Sequence, residues 1–302
     1  MPAPTYPDDR LERSRFFDGP TPRTPERERE VAALASLVDR GDLFAERELA
    51  PVAGASSYRL RGSGREFVLR HGTQDVAILD EVFRKRLYEP PRRVQDALAE
   101  SPRPLIVVDA GANIGLFSLF IAERLAPQAV IAFEPDRSNF ELLEACATRN
   151  GNDVRWHLVP ACAGTHDGSI RFRAGLFASS RMADGTPADG ETVVTPMVDF
   201  FPYLEDADLV KIDIEGGEWA LLSDPRLASV GVRAIALEYH FHLSPPGVAP
   251  GRVAERLLHR AGFATEVLHE RPDGQGMLWA WKDTSVSRSR TKRDKRPGTN
   301  PA

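Results

Sequence analysis

A chain of 302 residues with 42% hydrophobic and 27% charged residues has the composition of a globular protein, which excludes a disordered, fibrous or membrane-embedded chain. Its length suits one α/β domain with extensions as well as two average domains. The net charge of −5 is uneven: residues 283–302 carry six basic residues against two acidic ones, so the rest stands at −9, a poor match to a polyanionic nucleic acid.

Residues 1–30, rich in Pro, Arg, Asp and Glu, read as a flexible leader. Val31, Leu34, Leu37 and Val38 recur at helical spacing, predicting a docking helix over 28–43. YRLRGSGREFVLR predicts a β-hairpin turning at Gly62 and Gly64. DVAILDEVFRKRLY predicts a helix with Val76, Leu79, Val82, Phe83 and Leu87 on one face. These pieces form an expected lid or docking segment over 31–100.

From residue 101 the pattern alternates between strand and helix. LIVVD is a short continuous apolar run, the mark of a strand buried on both faces. It leads into GANIG and a helix over 114–125. AVIAFEP is the next strand. The next helix is capped near Asp136 or Ser138 and stops at Gly151. WHLVPACAG, SIRFRA, DLVKIDIEGGE and AIALEYH supply further strands. A helix near VAERLLHRAG precedes FATEVLHE and GMLWAWK, joined through RPDGQG as an antiparallel hairpin. The expected fold class is α/β: a Rossmann-like, doubly wound, mostly parallel sheet over 101–282 with a terminal antiparallel hairpin. Residues 283–302 read as a disordered basic tail.

No apolar run reaches the roughly 18 to 20 residues that cross a bilayer, and the N-terminus lacks the order of a secretory signal. Cys146 and Cys162 cannot build a multi-bridge disulfide framework and read as small buried apolar residues. The expected compartment is the cytoplasm, with no membrane insertion and an oligomeric state the sequence does not fix.

The chemistry concentrates in VVDAGANIG. Asp109 ends a strand, and Gly111, Asn113 and Gly115 occupy the turn into a helix, where glycines let backbone amides approach a ligand. Glu134 ends the following strand, where a carboxylate can accept both hydroxyl hydrogens of a ribose. A nicotinamide site wants three glycines spaced for a pyrophosphate, but here Asn113 takes the middle position and the loop has no Lys or Arg. A carboxylate at the strand end repels a pyrophosphate and suits the ammonium of a methionine moiety. The turn therefore favours S-adenosylmethionine (SAM) over a dinucleotide, with a purely structural turn as the bland alternative.

VVDAGANIGLFSLFIA, IAFEPDRSNFELLE, LVKIDIEGGEWALL and ALEYH, in that order, resemble the FkbM-type methyltransferases, and VLRHGTQDVAILDEVFRKRLYEPP resembles the segment before the sheet in that family. The resemblance covers about 67–281. It implies the class I SAM-dependent methyltransferase fold and methylation of a hydroxyl on a small specialised metabolite such as a sugar or polyketide. Carried over by position, it puts Asp109, Gly111, Asn113 and Gly115 at the methionine end and Glu134 at the ribose. Pro135 and Asp136 would shape the adenine side, with Ala161 and Cys162 near the base. Thr73, Asp75 and Tyr88 resemble positions near the cofactor mouth, although a helix N-cap explains the first two equally. GGE at 216–218 replaces the commoner G-A-E, and around Asp199 the sequence TPMVDFF departs from the family pattern.

For the acceptor side, Asp213 and Glu215 alternate at a strand end, where open α/β sheets bind ligands. Asp213 either takes the acceptor's proton or caps the next helix and pairs with Lys211. Glu218 reads as a first-turn helix carboxylate. Glu238, His240 and His242 alternate along EYHFH, so His240 is the second candidate base; that stretch offers too few ligands to assign a metal, and none is assigned. The rival readings are N- or carboxyl-methylation of a small molecule, a catalytically silent SAM-binding scaffold, and a nicotinamide oxidoreductase.

Overall fold

The computed structural model describes residues 23–50, 54–174, 181–182, 191–241, 244–245, 247–272 and 274–282. Thr24 caps the first helix, α1 (Pro25–Ala35), by accepting from Arg27 N–H, and Pro25 sits in the first turn, where its missing donor is not needed. This helix thus begins inside the stretch read as a leader. It also ends early: Val38 leaves helical spacing to form a bridge with Leu60, and α2 (Gly41–Glu48) follows as a separate helix. The expected hairpin is present as antiparallel β1 (Gly54–Arg59) and β2 (Glu66–His71), with Tyr58 opposite Phe67. Next come α3 (Gln74–Leu79), continued by a π-helical turn over Asp80–Arg84, and α4 (Arg92–Ala99).

The alternating part runs β3 (Ile106–Ala110), α5 (Leu116–Leu125), β4 (Ala129–Phe133), α6 (Arg137–Arg149) and β5 (Arg155–Val159). WHLVPACAG does not make one strand. Pro160, which lacks a donor for the ladder, separates β5 from β6 (Cys162–Gly164), and the two belong to different sheets. β7 (Gly168–Ala174), β8 (Arg181–Met182) and β9 (Glu191–Asp199) join β6 in a four-stranded sheet of order β6-β9-β7-β8. β9 was not expected from the sequence. The chain then supplies β10 (Leu209–Ile212), α7 (Glu218–Ser223), β11 (Ala234–Tyr239), α8 (Pro250–Arg260), β12 (Ala264–Glu270) and β13 (Gly276–Trp281).

The main sheet has seven strands in the order β12-β13-β11-β10-β3-β4-β5. β11, β10, β3, β4 and β5 run parallel, and β13 is antiparallel to both β11 and β12, as the hairpin pattern predicts. Strand alternation splits the core between the two faces. Val107, Val130 and Ala132 pack with α5, α6 and the N-terminal elements, whereas Val108, Ala110 and Phe133 pack with α7 and α8. Val31, Leu34, Phe67, Leu79 and Val94 belong to the same continuous apolar cluster as Leu119, Phe120 and Trp279, so the N-terminal segment shares its core with the sheet. No helix among the described residues is long and apolar enough to cross a membrane.

Candidate active site

Strand order reverses between β3 and β10, and at such a point the connections leave toward opposite faces and open a crevice at the strand C-termini. A cavity of about 570 Å³ occupies this crevice, lined from the ends of β3, β4, β10 and β11 and from the N-terminal helical turn. That volume lies within the range of small-molecule and cofactor sites.

One half is built by the turn after β3. Gly111 has φ +78°, and a β-carbon there would lie 1.8 Å from the Asp213 carbonyl oxygen, so only glycine lets this turn pack on the end of β10. Lys211 Nζ fixes the turn by donating to Gly111 O at 2.7 Å. Asn113, at φ +51°, donates its backbone N–H to Glu134 Oε2 at 2.8 Å, and Asp136 N donates to Glu134 Oε1 at 2.8 Å. Burial, reinforced by the Asp136 charge, still pushes the Glu134 carboxyl up to about 8. Asn113 Oδ1 is buried without a hydrogen-bond partner.

Gly111, Asn113, Glu134, Pro135, Ala161 and Cys162 all line the cavity; three expected cofactor residues do not. Asp109 shares the face of β3 that α5 covers, is fully buried, and accepts from Ser118 Oγ at 2.6 Å. Gly115 turns the chain into α5 at φ +90°, where a β-carbon would press on Leu143 and Cys146 at 3.0–3.1 Å. Asp136 is the N-cap of α6, accepting from Ser138 N–H at 2.9 Å. Thr73 likewise caps α3, and Asp75 is fully buried in a bidentate pair with Arg70, 2.7 and 2.8 Å; neither reaches the cavity, whereas Tyr88 does.

The other half is acidic. Asp213 lines the cavity and pairs with Lys211, Oδ2 to Nζ 3.1 Å, but does not cap the next helix, whose N-cap is Gly217. Burial alone would depress the Lys211 ammonium, but Asp213 and Asp109 hold it above its ordinary value. Glu215 sits at φ +52° in the turn after β10, and burial pushes its carboxyl up to about 8 despite His240. His240 Nε2 lies 3.5 Å from Glu215 Oε2, and Nδ1 lies 2.9 Å from Glu218 Oε1. Burial would lower the imidazole's pKa, yet the Glu218 hydrogen bond and the surrounding carboxylates outweigh it and push it up to about 10. Glu218 is fully buried at the start of α7 and accepts from Ile214 N and Gly216 N at 3.2 and 2.9 Å. Glu238 accepts from Tyr88 Oη at 3.0 Å and Gln275 Nε2 at 2.6 Å.

Asp213, Glu215 and His240 therefore converge, with ligand atoms all within 4.8 Å of one another. His242 lies outside the described residues. Asp199 is remote from the cavity and pairs with Arg226 at 2.7 Å. Glu81, Arg271 and Gln275 also line the cavity but carry no sequence signal, because they come from a π-helical turn and a hairpin distant in sequence from the strand ends.

The site is thus a switch-point cleft with a glycine turn on one side and a cluster of carboxylates and an imidazole on the other, the place where open α/β sheets bind ligands. Residues 109–264, a little over half of the chain, match the Methyltransferase FkbM domain, and the chain belongs to that methyltransferase family. It is similar to Methyltransferase sdnD of Sordaria araneosa, with 25% identity over 244 residues covering 67% of this chain and 88% of sdnD. It is also 27% identical over 170 residues to the AMB antimetabolite synthetase AmbE of Pseudomonas aeruginosa, covering 54% of this chain but spanning only 8% of that synthetase. Among solved structures, a SAM-dependent methyltransferase from Agrobacterium tumefaciens aligns with TM-score 0.41 and 12% identity over 76% of this chain and 70% of its own.

Proposed function

We propose that the chain is a SAM-dependent methyltransferase acting on a hydroxyl of a small specialised metabolite of sugar or polyketide type. The observation that carries this reading is one continuous cleft joining the Gly111–Glu134 cradle to the Asp213, Glu215 and His240 cluster. The cradle's chemistry fits SAM. The buried, unpartnered Asn113 Oδ1 calls for a hydrogen-bond donor. Glu134, whose carboxyl is held in place by two backbone N–H groups, is aimed for ribose hydroxyls, and no cationic side chain stands in the turn to hold a pyrophosphate. The body's net acidity supports a small-molecule acceptor over nucleic acid, and two buried unpaired cysteines suit a reducing cytoplasm.

Bound SAM would supply a methyl group activated on a sulfonium. The protein's own part is placement and proton handling. Holding the acceptor oxygen about 3 Å from the methyl carbon, in line with its bond to sulfur, accounts for much of the acceleration in such reactions. Asp213 is the proton acceptor in this reading, kept in position by Lys211. His240 is the second candidate base, and its hydrogen bond to Glu218 with the neighbouring Glu215 favours its protonated form.

Calorimetry with SAM, S-adenosylhomocysteine and NAD is the primary test: binding of the first two and not of NAD is expected, and failure of both to bind the folded protein overturns the assignment. Labelled SAM incubated with extracts of small metabolites, followed by mass spectrometry, identifies the acceptor. Transfer to nitrogen or a carboxylate would correct the reaction type, and SAM binding without any transfer would favour a silent scaffold. Asp213→Ala should cut turnover by about 10²- to 10⁴-fold, the usual range for a general base, with SAM affinity little changed.

A further inference from the structure

We propose that Asp213, Glu215 and His240 form a divalent-cation site at the acceptor side of the cleft. Three features of the geometry support a built ligand set over a chance gathering of acids. First, the three residues come from two different segments, the turn after β10 and the end of β11, yet their ligand atoms all fall within 4.8 Å of one another. Second, the imidazole is 3% exposed, and its Nδ1 is fixed on Glu218 Oε1 at 2.9 Å, which turns Nε2 toward Glu215. A carboxylate behind a histidine in this way is the usual orienting partner of a metal-bound imidazole. Glu218 is in turn pinned by two backbone N–H donors, so the orientation is set by the fold. Third, the two carboxylates are half-buried along the wall of a cavity with room for an ion, its waters and an acceptor oxygen.

The charge around the trio points the same way. Glu218, Glu238 and Glu81 stand close by, while Lys211 is already shared among Asp213, Asp109 and the Gly111 carbonyl. Two carboxylates with one imidazole suit Mn2+, a cation that accepts oxygen ligands and tolerates nitrogen better than Mg2+ does. What the ion does rests on the methyltransferase reading: it would bind the acceptor oxygen and make its hydroxyl easier to deprotonate, and Asp213 would then serve as its ligand in place of taking the proton, which would leave to solvent. Whether the ion binds does not rest on that reading.

The test uses the full chain, stripped with chelator and titrated with MnCl2, following loss of the paramagnetic resonance signal of free Mn2+. One ion per chain is expected. Asp213→Asn and Glu215→Gln should each abolish uptake, and Glu218→Gln should weaken it about 10- to 100-fold, as removal of a histidine's orienting partner commonly does. SAM calorimetry on the same variants establishes that the cofactor half is still folded. No Mn2+ uptake by a wild-type protein that binds SAM overturns this inference and leaves the methyltransferase reading standing. Equal uptake by wild type and by SAM-binding variants puts the ion elsewhere and overturns it too. Mn2+ uptake without SAM binding would instead remove the methyltransferase reading and keep the metal site.

Discussion

Glu134 concentrates the tension of the cofactor half in one side chain. Two backbone N–H groups point at its oxygens, which favours the ionised form, while burial beside Asp136 opposes ionisation and prevails. Because the folded value, about 8, lies above the ordinary 4.5, folding takes up a proton between these limits. The stabilisation tied to that proton is complete below about pH 4.5 and is lost as pH rises through 8. Thermal melts of ligand-free wild type and Glu134→Gln across pH 5 to 9 should therefore show the wild type losing stability relative to the variant as pH rises; a constant difference would refute the assignment. At this scale much of the site was legible. A carboxylate at the end of the second parallel strand and a glycine turn after the first have few local reasons to exist. Asp109 was misplaced because the sequence does not show which face of β3 its side chain takes, and that face is covered by α5.

The turn between β3 and α5 acts as a unit, held by its own left-handed residues and by the end of β10. Asp213 N donates to Ala110 O at 3.1 Å, Lys211 Nζ to Gly111 O at 2.7 Å, and a β-carbon on Gly111 would lie 1.8 Å from the Asp213 carbonyl oxygen. Gly111→Ala must move backbone, because the atom in the way belongs to the chain and not to a flexible side chain. A cost of roughly 1–3 kcal/mol from overpacking adds to about 1–2 kcal/mol for a β-carbon in the left-handed region. Urea denaturation should register a loss of that combined size, together with weakened SAM binding; a neutral effect on both would mean the turn is looser than described. Element types were readable from the sequence wherever apolar residues ran continuously or at helical spacing. Boundaries failed where a tertiary contact intervened, as at Val38, drawn into a bridge with Leu60, and at Pro160, where one expected strand became two in separate sheets.

For the molecule as a whole, the N-terminal elements are structural partners of the sheet. Val31, Phe67, Leu79 and Val94 complete an apolar cluster with Phe120 and Trp279, and Arg70 reaches from β2 to Asn139 on α6 at 2.7 Å while paired with buried Asp75. The same segment presents Glu81 and Tyr88 to the cleft, so it joins folding to the site. A fragment of residues 101–302 should consequently lose its cooperative melt and bind a hydrophobic dye, because one face of its sheet would lie open; a cooperatively folded fragment that binds SAM would show that the segment is a removable lid. The order of the main sheet's strands and helices along the chain, the glycine turn and its carboxylate partner were determined by the sequence alone, because they depend on local periodicity and on chemistry within a few residues of a strand end. The meeting of Asp213 and Glu215 with His240, the burial of Glu218 behind it, and the entry of Glu81, Tyr88 and Gln275 into the cleft were decided only by tertiary structure. Those contacts join segments 22 to 150 residues apart, and only the packing of the sheet and its crossovers sets which ones meet.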